Sequence, residues 1–173
     1  MFLKTLTAAA AFAAVAIAAP AFAQSASTTG TGSITIVRPL TVTKNSDLQF
    51  GTVVRPASGN GTVVISNAGA RSFTGGITGL ATGATPGAAQ FTVEGEGGQS
   101  VSVTVPQTFQ LVNGSDSLQV TTSNNLSGST QTLSNGLGSS GNMTFKVGGT
   151  VPVSNGTPLG VYTGTFTVSA AYN

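Results

Sequence analysis

Cysteine, histidine and tryptophan are all missing from this 173-residue chain. Without histidine or cysteine there is no Ser-His-Asp or Cys-His nucleophile system, and none of the usual transition-metal ligand sets. Without disulfides, core packing, strand hydrogen bonds or partners must hold the fold together. Charge is scarce as well: charged residues make up 6% of the chain, against about a quarter in ordinary soluble domains. Arg38, Lys44, Arg55, Arg71 and Lys146 are scattered singly. Nucleic-acid binding needs several phosphates neutralised together, so that function is excluded.

The longest apolar run lies at the N-terminus. Lys4 precedes an apolar stretch from Leu6 to Ala19, and Pro20 and Ala21-Phe22-Ala23 follow. A positive end, a short apolar centre and a small-x-small ending predict a signal peptide over residues 1–23, cleaved before Gln24. A membrane anchor fits less well, because Pro20 breaks the run and no Lys or Arg cluster follows to stop transfer. No later stretch approaches a spanning length, so no membrane span is expected after cleavage. Loss of Lys4 takes the formal charge from +2 to +1. Residues 24–173 suit one domain and are enough to bury a real core. Its surface is expected to be Ser, Thr, Asn, Gln and Gly, a neutral coat that limits repulsion between identical copies.

What is present is β-sheet pattern. Short alternating runs rich in Val, Ile, Thr and Phe lie between clusters of Gly, Asn, Ser and Pro, and helical spacing is absent after the signal. The runs predict strands over 33–43, 48–54, 62–66, 89–94, 100–105, 117–122, 143–147 and 162–172. Val101, Val103 and Val105 would share one face, with Ser100, Ser102 and Thr104 on the other. Gly95-Glu96-Gly97-Gly98 reads as a short hairpin loop. Residues 75–87 and 123–141 read as exposed loops. About eight such strands favour an all-β fold, an immunoglobulin-like β-sandwich.

Candidate chemistry is thin. Glu94 and Glu96 are two apart and would point to one side of a continuous strand. Two carboxylates do not fill the six-to-eight-oxygen shell of Ca²⁺, and at a hairpin mouth they read as solvated residues. Asn113-Gly114-Ser115-Asp116-Ser117 lacks the spaced acids of a calcium loop and reads as a turn. Lys44 and Lys146 could each pair with a serine nucleophile, but no nucleophile-elbow motif accompanies them. The chain is therefore read as non-enzymatic, without cofactor, metal or catalytic residues.

The two ends carry more information. In the C-terminal run from Gly160, Tyr162, Gly164, Phe166, Val168, Ala170 and Tyr172 share one face, with Thr163, Thr165, Thr167 and Ser169 opposite. Near the N-terminus Ile34, Ile36, Leu40 and Val42 share a parity, with Arg38 as the exception and Pro39 beside it. Proline cannot donate to a ladder, so this segment is an edge strand, a bulged strand or an arm. A polar lead followed by an alternating apolar segment has the form of a strand that can be donated to an exposed sheet edge. The expected organisation is a signal peptide (1–23), an N-terminal arm or first strand (24–43) and a β-sandwich domain (44–173).

Three stretches carry a resemblance. They are Ile34-Thr35-Ile36-Val37-Arg38-Pro39-Leu40-Thr41-Val42 with Leu48-Gln49-Phe50-Gly51; Ala89-Gln90-Phe91-Thr92-Val93-Glu94-Gly95 with Val101-Ser102-Val103-Thr104-Val105-Pro106; and Gly160 through Val168 to Tyr172. Together the chain resembles the secreted bacterial family known as domain of unknown function 4402. That family in turn looks like spore-coat-U proteins and the chaperone–usher pilin subunits of Gram-negative bacteria. Pilins of that type carry a glycine fourteen places from the end and a penultimate aromatic, the places of Gly160 and Tyr172 here. They commonly carry a cysteine pair, which this chain lacks. The resemblance implies an incomplete sandwich, docked on a periplasmic chaperone, passed to an outer-membrane usher and completed by a neighbour's arm.

The expected function is thus a secreted fimbria-like structural subunit that self-associates by strand complementation at the cell surface. Phe166, Val168, Ala170 and Tyr172 would line the acceptor or chaperone-facing edge. Ile34, Ile36, Leu40 and Val42 would be the donated side, or else the protein's own first strand. The alternative is a monomeric periplasmic or surface binding module using loops 75–87 and 123–141 for adhesion. Against it, those loops hold no Trp, Tyr or charge to anchor a ligand.

Overall fold

The computed structural model describes residues 24–173; the expected signal peptide lies outside the described residues. Residues 24–34 belong to one unit and carry no strand. Residues 35–173 form the other and hold every strand described. In chain order these are β1 (Thr41–Ser46), β2 (Thr52–Val54), β3 (Asn60–Ile65), β4 (Arg71–Phe73), β5 (Thr78–Leu80) and β6 (Ala89–Glu96). They continue with β7 (Ser100–Thr104), β8 (Thr108–Asn113), β9 (Asp116–Asn124), β10 (Thr130–Thr132), β11 (Ser140–Ser154) and β12 (Ser169–Tyr172).

β11 is the spine. Its odd-numbered residues Phe145, Val147, Val151 and Val153 are buried, the period of two that a half-buried strand imposes. Residues 140–147 of β11 pair with β6, and residues 149–154 pair with β3. At the changeover Gly149 and Thr150 are paired on both sides, to Ile65 and Val64 of β3 and to Thr122 and Thr121 of β9. A side chain at Gly149 would strike Val120, so glycine there lets the core close over the junction. β1 and β4 flank this sheet at β6 and β3, and β8 flanks it at β9.

Two smaller antiparallel sheets, β10-β7-β12 and β2-β5, complete the all-β sandwich. Ala89, Phe91 and Val93 of β6 and Phe145 and Val147 of β11 pack with Val101 and Val103 of β7 and Leu133 after β10 in one core. Val63, Val120, Val151 and Val153 pack with Ile77 in a second, against Phe50, Val53 and Phe73. Arg71 binds the β2-β5 sheet to the second core: its guanidinium donates to the carbonyls of Phe50 (3.1 Å) and Leu80 (3.3 Å) and lies over the Phe73 ring.

Several expectations are corrected. The link after Glu96 is not a hairpin: β6 and β7 belong to different sheets, so Gly97-Gly98 carries the chain across the sandwich. The exposed-loop reading of 75–87 overlooked β5 and the buried Ile77. That of 123–141 overlooked β10, which pairs with β7, and the buried Leu133. In both stretches a few large apolar residues among Gly, Ser and Thr dock the segment, Ile77 in the first and Leu126 and Leu133 in the second. The strand expected over 33–43 begins only at Thr41, because Pro39 has no N–H and the Arg38 N–H is taken by a side chain. The strand expected over 162–172 is ladder only from Ser169, with a single bridge between Thr163 and Val112.

Candidate assembly groove

The C-terminal run reaches across the sandwich. Gly160 adopts φ 150°, a conformation side chains disfavour, and packs against Asn113 at the end of β8. The Asn113 amide donates to the Leu159 carbonyl and the Tyr162 hydroxyl to that of Pro158 (2.9 Å), which sets the direction of departure. Thr163 and Val112 then exchange two backbone hydrogen bonds, of 3.0 and 2.8 Å. Gly164 lies so close to the Gln110 carbonyl that any side chain would collide. From there the chain leaves β8, and at Ser169 it joins β7, with Tyr172 opposite Val101.

Residues 164–168, between the two pairings, take part in no ladder. Of these, Gly164, Thr165 and Phe166 line a groove of about 190 Å³ with an apolar floor and a polar rim, together with Lys44, Asp47, Leu48 and Gln49. Its floor is Ala89 and Phe91 of β6 and Phe109 and Leu111 of β8. Phe166 stands at the centre, its ring 5.9 Å from Phe91 and 4.9 Å from Phe109, and Phe91 stacks in turn on Phe145 at 5.6 Å. Such edge-on and offset pairs bury large area with defined geometry. β1, next to this groove, pairs only with β6, leaving its outer edge unpaired. Unpaired main chain therefore borders the groove along residues 164–166 and at the β1 edge by Lys44.

The C-terminal face alternates as expected, but none of it closes. Tyr162, Phe166, Val168, Ala170 and Tyr172 are all half-buried, while Gly160 is exposed. The N-terminal face divides. Ile34 and Ile36 are 84% and 82% exposed. Leu40 packs against the first core, and Val42 sits in the β1 ladder opposite Val93. The four residues are therefore not brought together.

Leu48, Phe91, Phe109 and Leu111 line the groove although no site expectation named them. The alternation of Phe109 and Leu111 between Pro106 and the Asn113-Gly114 turn was the available signal. That turn is observed, with Asn113 opposite Asp116 and Gly114 at φ 61°. Glu94 and Glu96 do not form a joint site. Glu94 is exposed, whereas Glu96 is 3% exposed and is bound by Arg38 and Gly138. Lys44 forms an exposed ion pair with Asp47 at the rim. Lys146 is on β11, its N–H donating to Asn125.

Among the described residues no helix is long and apolar enough to cross a membrane. No curated protein and no solved structure shows a significant match to the chain. A family model does match, over residues 40–172. That span runs from the packed Leu40 through the groove to the terminal Tyr172, and the chain belongs to the family described as Domain of unknown function (DUF4402).

Proposed function

We propose that the chain is an exported structural subunit, without enzymatic activity, that assembles with its own copies by strand complementation. The observation that carries this reading is the groove floored by Phe91, Phe109 and Leu111, bordered by the unpaired run at residues 164–166 and by the unpaired β1 edge at Lys44. A strand laid there would gain main-chain hydrogen bonds while its alternate side chains met Phe91, Phe109 and Phe166. Ile34 and Ile36, exposed and two apart, supply that alternation in the arm of a second copy. Residues 24–37, fully extended, reach about 45 Å, comparable with the 15-residue β11. The sparse charge lets identical surfaces approach without strong repulsion.

A periplasmic chaperone would hold the same groove before assembly, and an outer-membrane usher would exchange it for the neighbour's arm. Location in the periplasm, on the cell surface or in a fimbrium follows from the expected signal. The test is size-exclusion chromatography with light scattering on the mature chain from periplasm, then negative-stain microscopy of the high-mass fraction. Fibres or ladders of oligomers that resist mild denaturant are the expected result. A stable monomer at every concentration would overturn assembly and favour the monomeric binding module.

A further inference from the structure

Glu96 closes β6, and its carboxylate is buried although the residue beside it in the chain is Gly97. A buried carboxylate costs several kcal/mol unless it is paired and hydrogen-bonded, so its partners show what it is for. Its Oε2 accepts the Arg38 backbone N–H at 3.3 Å, and the Arg38 guanidinium stands 3.7 Å away. Its Oε1 accepts the Gly138 N–H, and the guanidinium donates to the Gly138 carbonyl at 3.2 Å. The Tyr172 hydroxyl accepts the Glu96 backbone N–H at 2.7 Å and donates to the Arg38 carbonyl at 2.9 Å. Both main-chain groups of Arg38 are therefore held by side chains, one from β6 and one from β12.

On the two sides of Arg38 the chain behaves differently. After it come Pro39, then Leu40 against the first core, then Thr41 opposite Glu94 in the β1 ladder. Before it, Thr35 and Ile36 are exposed, Val37 is 39% exposed, and none of residues 35–37 forms a hydrogen bond. We infer that the Glu96–Arg38–Tyr172 cluster is a clamp that fixes the boundary of the donated arm: residues up to Val37 pass to a second copy, and those from Pro39 onward stay in their own sandwich. This deepens the strand-complementation reading and rests on it. It assigns Ile34 and Ile36 to the partner, and Leu40 and Val42 to the parent fold. It also gives Tyr172 a task inside its own chain, as a positioning residue that joins the terminal strand to the root of the arm.

The test is amide hydrogen exchange on the full mature chain, as monomer and after assembly, for the unaltered protein and for Tyr172→Phe and Glu96→Gln. In the monomer the Arg38 amide should exchange about a hundredfold more slowly than the amides of residues 35–37. Tyr172→Phe removes one oxygen and should speed Glu96 and Arg38 exchange about tenfold, while amides in β3 keep their rates. Glu96→Gln should speed Arg38 exchange further. Equal Arg38 rates in all three proteins would overturn the clamp. On assembly, the amides of residues 33–37 should gain at least about tenfold protection, while those of Thr41 to Ser46 keep or gain theirs. Loss of protection across Thr41–Ser46 on assembly would show the arm detaching through β1, and the boundary would be wrong. Absence of any assembly overturns the complementation reading instead, and with it donation; the monomer rates still decide whether Arg38 is clamped.

Discussion

Phe145 and Phe166 both pack on the same ring, Phe91, yet one lies in a closed part of the core and the other in an open part. Phe145 lies on β11 and is 1% exposed. There the main chain pairs with Phe91 of β6, and Val101 and Val103 of β7 pack in the same core as the ring. Phe166 lies in the run between the bridge to β8 and the ladder to β7, and its ring stays half-open over the groove. The two faces have the same alternating chemistry. What separates them is that Phe145 has a strand partner in β6 while residues 164–168 have none; on the proposed reading a second chain would supply it. The closed half supports itself, while the open half is the place where a second chain would add stability.

Phe145→Ala should break the closed half most severely. A fully buried phenylalanine loses its transfer energy and leaves a cavity, costing about 3–5 kcal/mol. Urea denaturation of the monomer would show that loss in the midpoint. Gly164→Val strikes the junction between the halves. The new side chain would collide with the Gln110 carbonyl, and parting residues 160–168 from β8 should cost about 1–3 kcal/mol. Loss of the Val112–Thr163 hydrogen bonds, read by amide exchange, would locate the damage.

Phe166→Ala sharpens the contrast. Its ring is only half-covered in the isolated chain, so monomer stability should fall by about 1–2 kcal/mol. Because an inserted strand would cover the rest, the same change should lower oligomer yield far more than it lowers the melting point. Equal effects on both would mean that the groove is simply a loosely packed core. Deleting residues 24–37 should shift monomer stability by less than about 0.5 kcal/mol, since these residues make no core contacts, yet abolish assembly on light scattering. The smallest effect belongs to Lys44→Ala. Its pair with Asp47 at 2.6 Å is about three-fifths exposed on each side, and such pairs contribute at most about 1 kcal/mol.

Where a segment buries one face along its length, its strand was legible from alternation. β3, β6, β7 and β9 emerge close to their expected ranges because Val, Ile and Phe recur every second residue between turn clusters. The expectation for β11 covered only a third of the strand. The expected range stopped before Gly148-Gly149, and only the pairing of β11 with β3 and β9 on its two sides shows why glycine sits there inside a strand. β4, β5 and β10 are three residues each, too short for periodicity to register. The groove was half legible. Its C-terminal wall follows from parity, but Phe91 and Phe109 are distant in sequence and meet Phe166 only because β6 and β8 lie under the same segment.

Composition alone determined the class of molecule: no histidine or cysteine for chemistry, little charge, and a β-forming alternation that must bury one face of each strand. It also determined that both termini carry apolar alternation. Tertiary structure decided what those ends do. Whether an alternating run becomes a covered strand, an open wall or a free arm depends on which neighbours offer main-chain partners. Those neighbours are set by long-range pairing: β7 captures Ser169–Tyr172, β6 captures Thr41–Ser46, and the Glu96 carboxylate with the Tyr172 hydroxyl holds Arg38 between them. Local sequence carries side-chain preference, but a hydrogen-bond partner 58 or 134 residues away is chosen only when the whole chain folds.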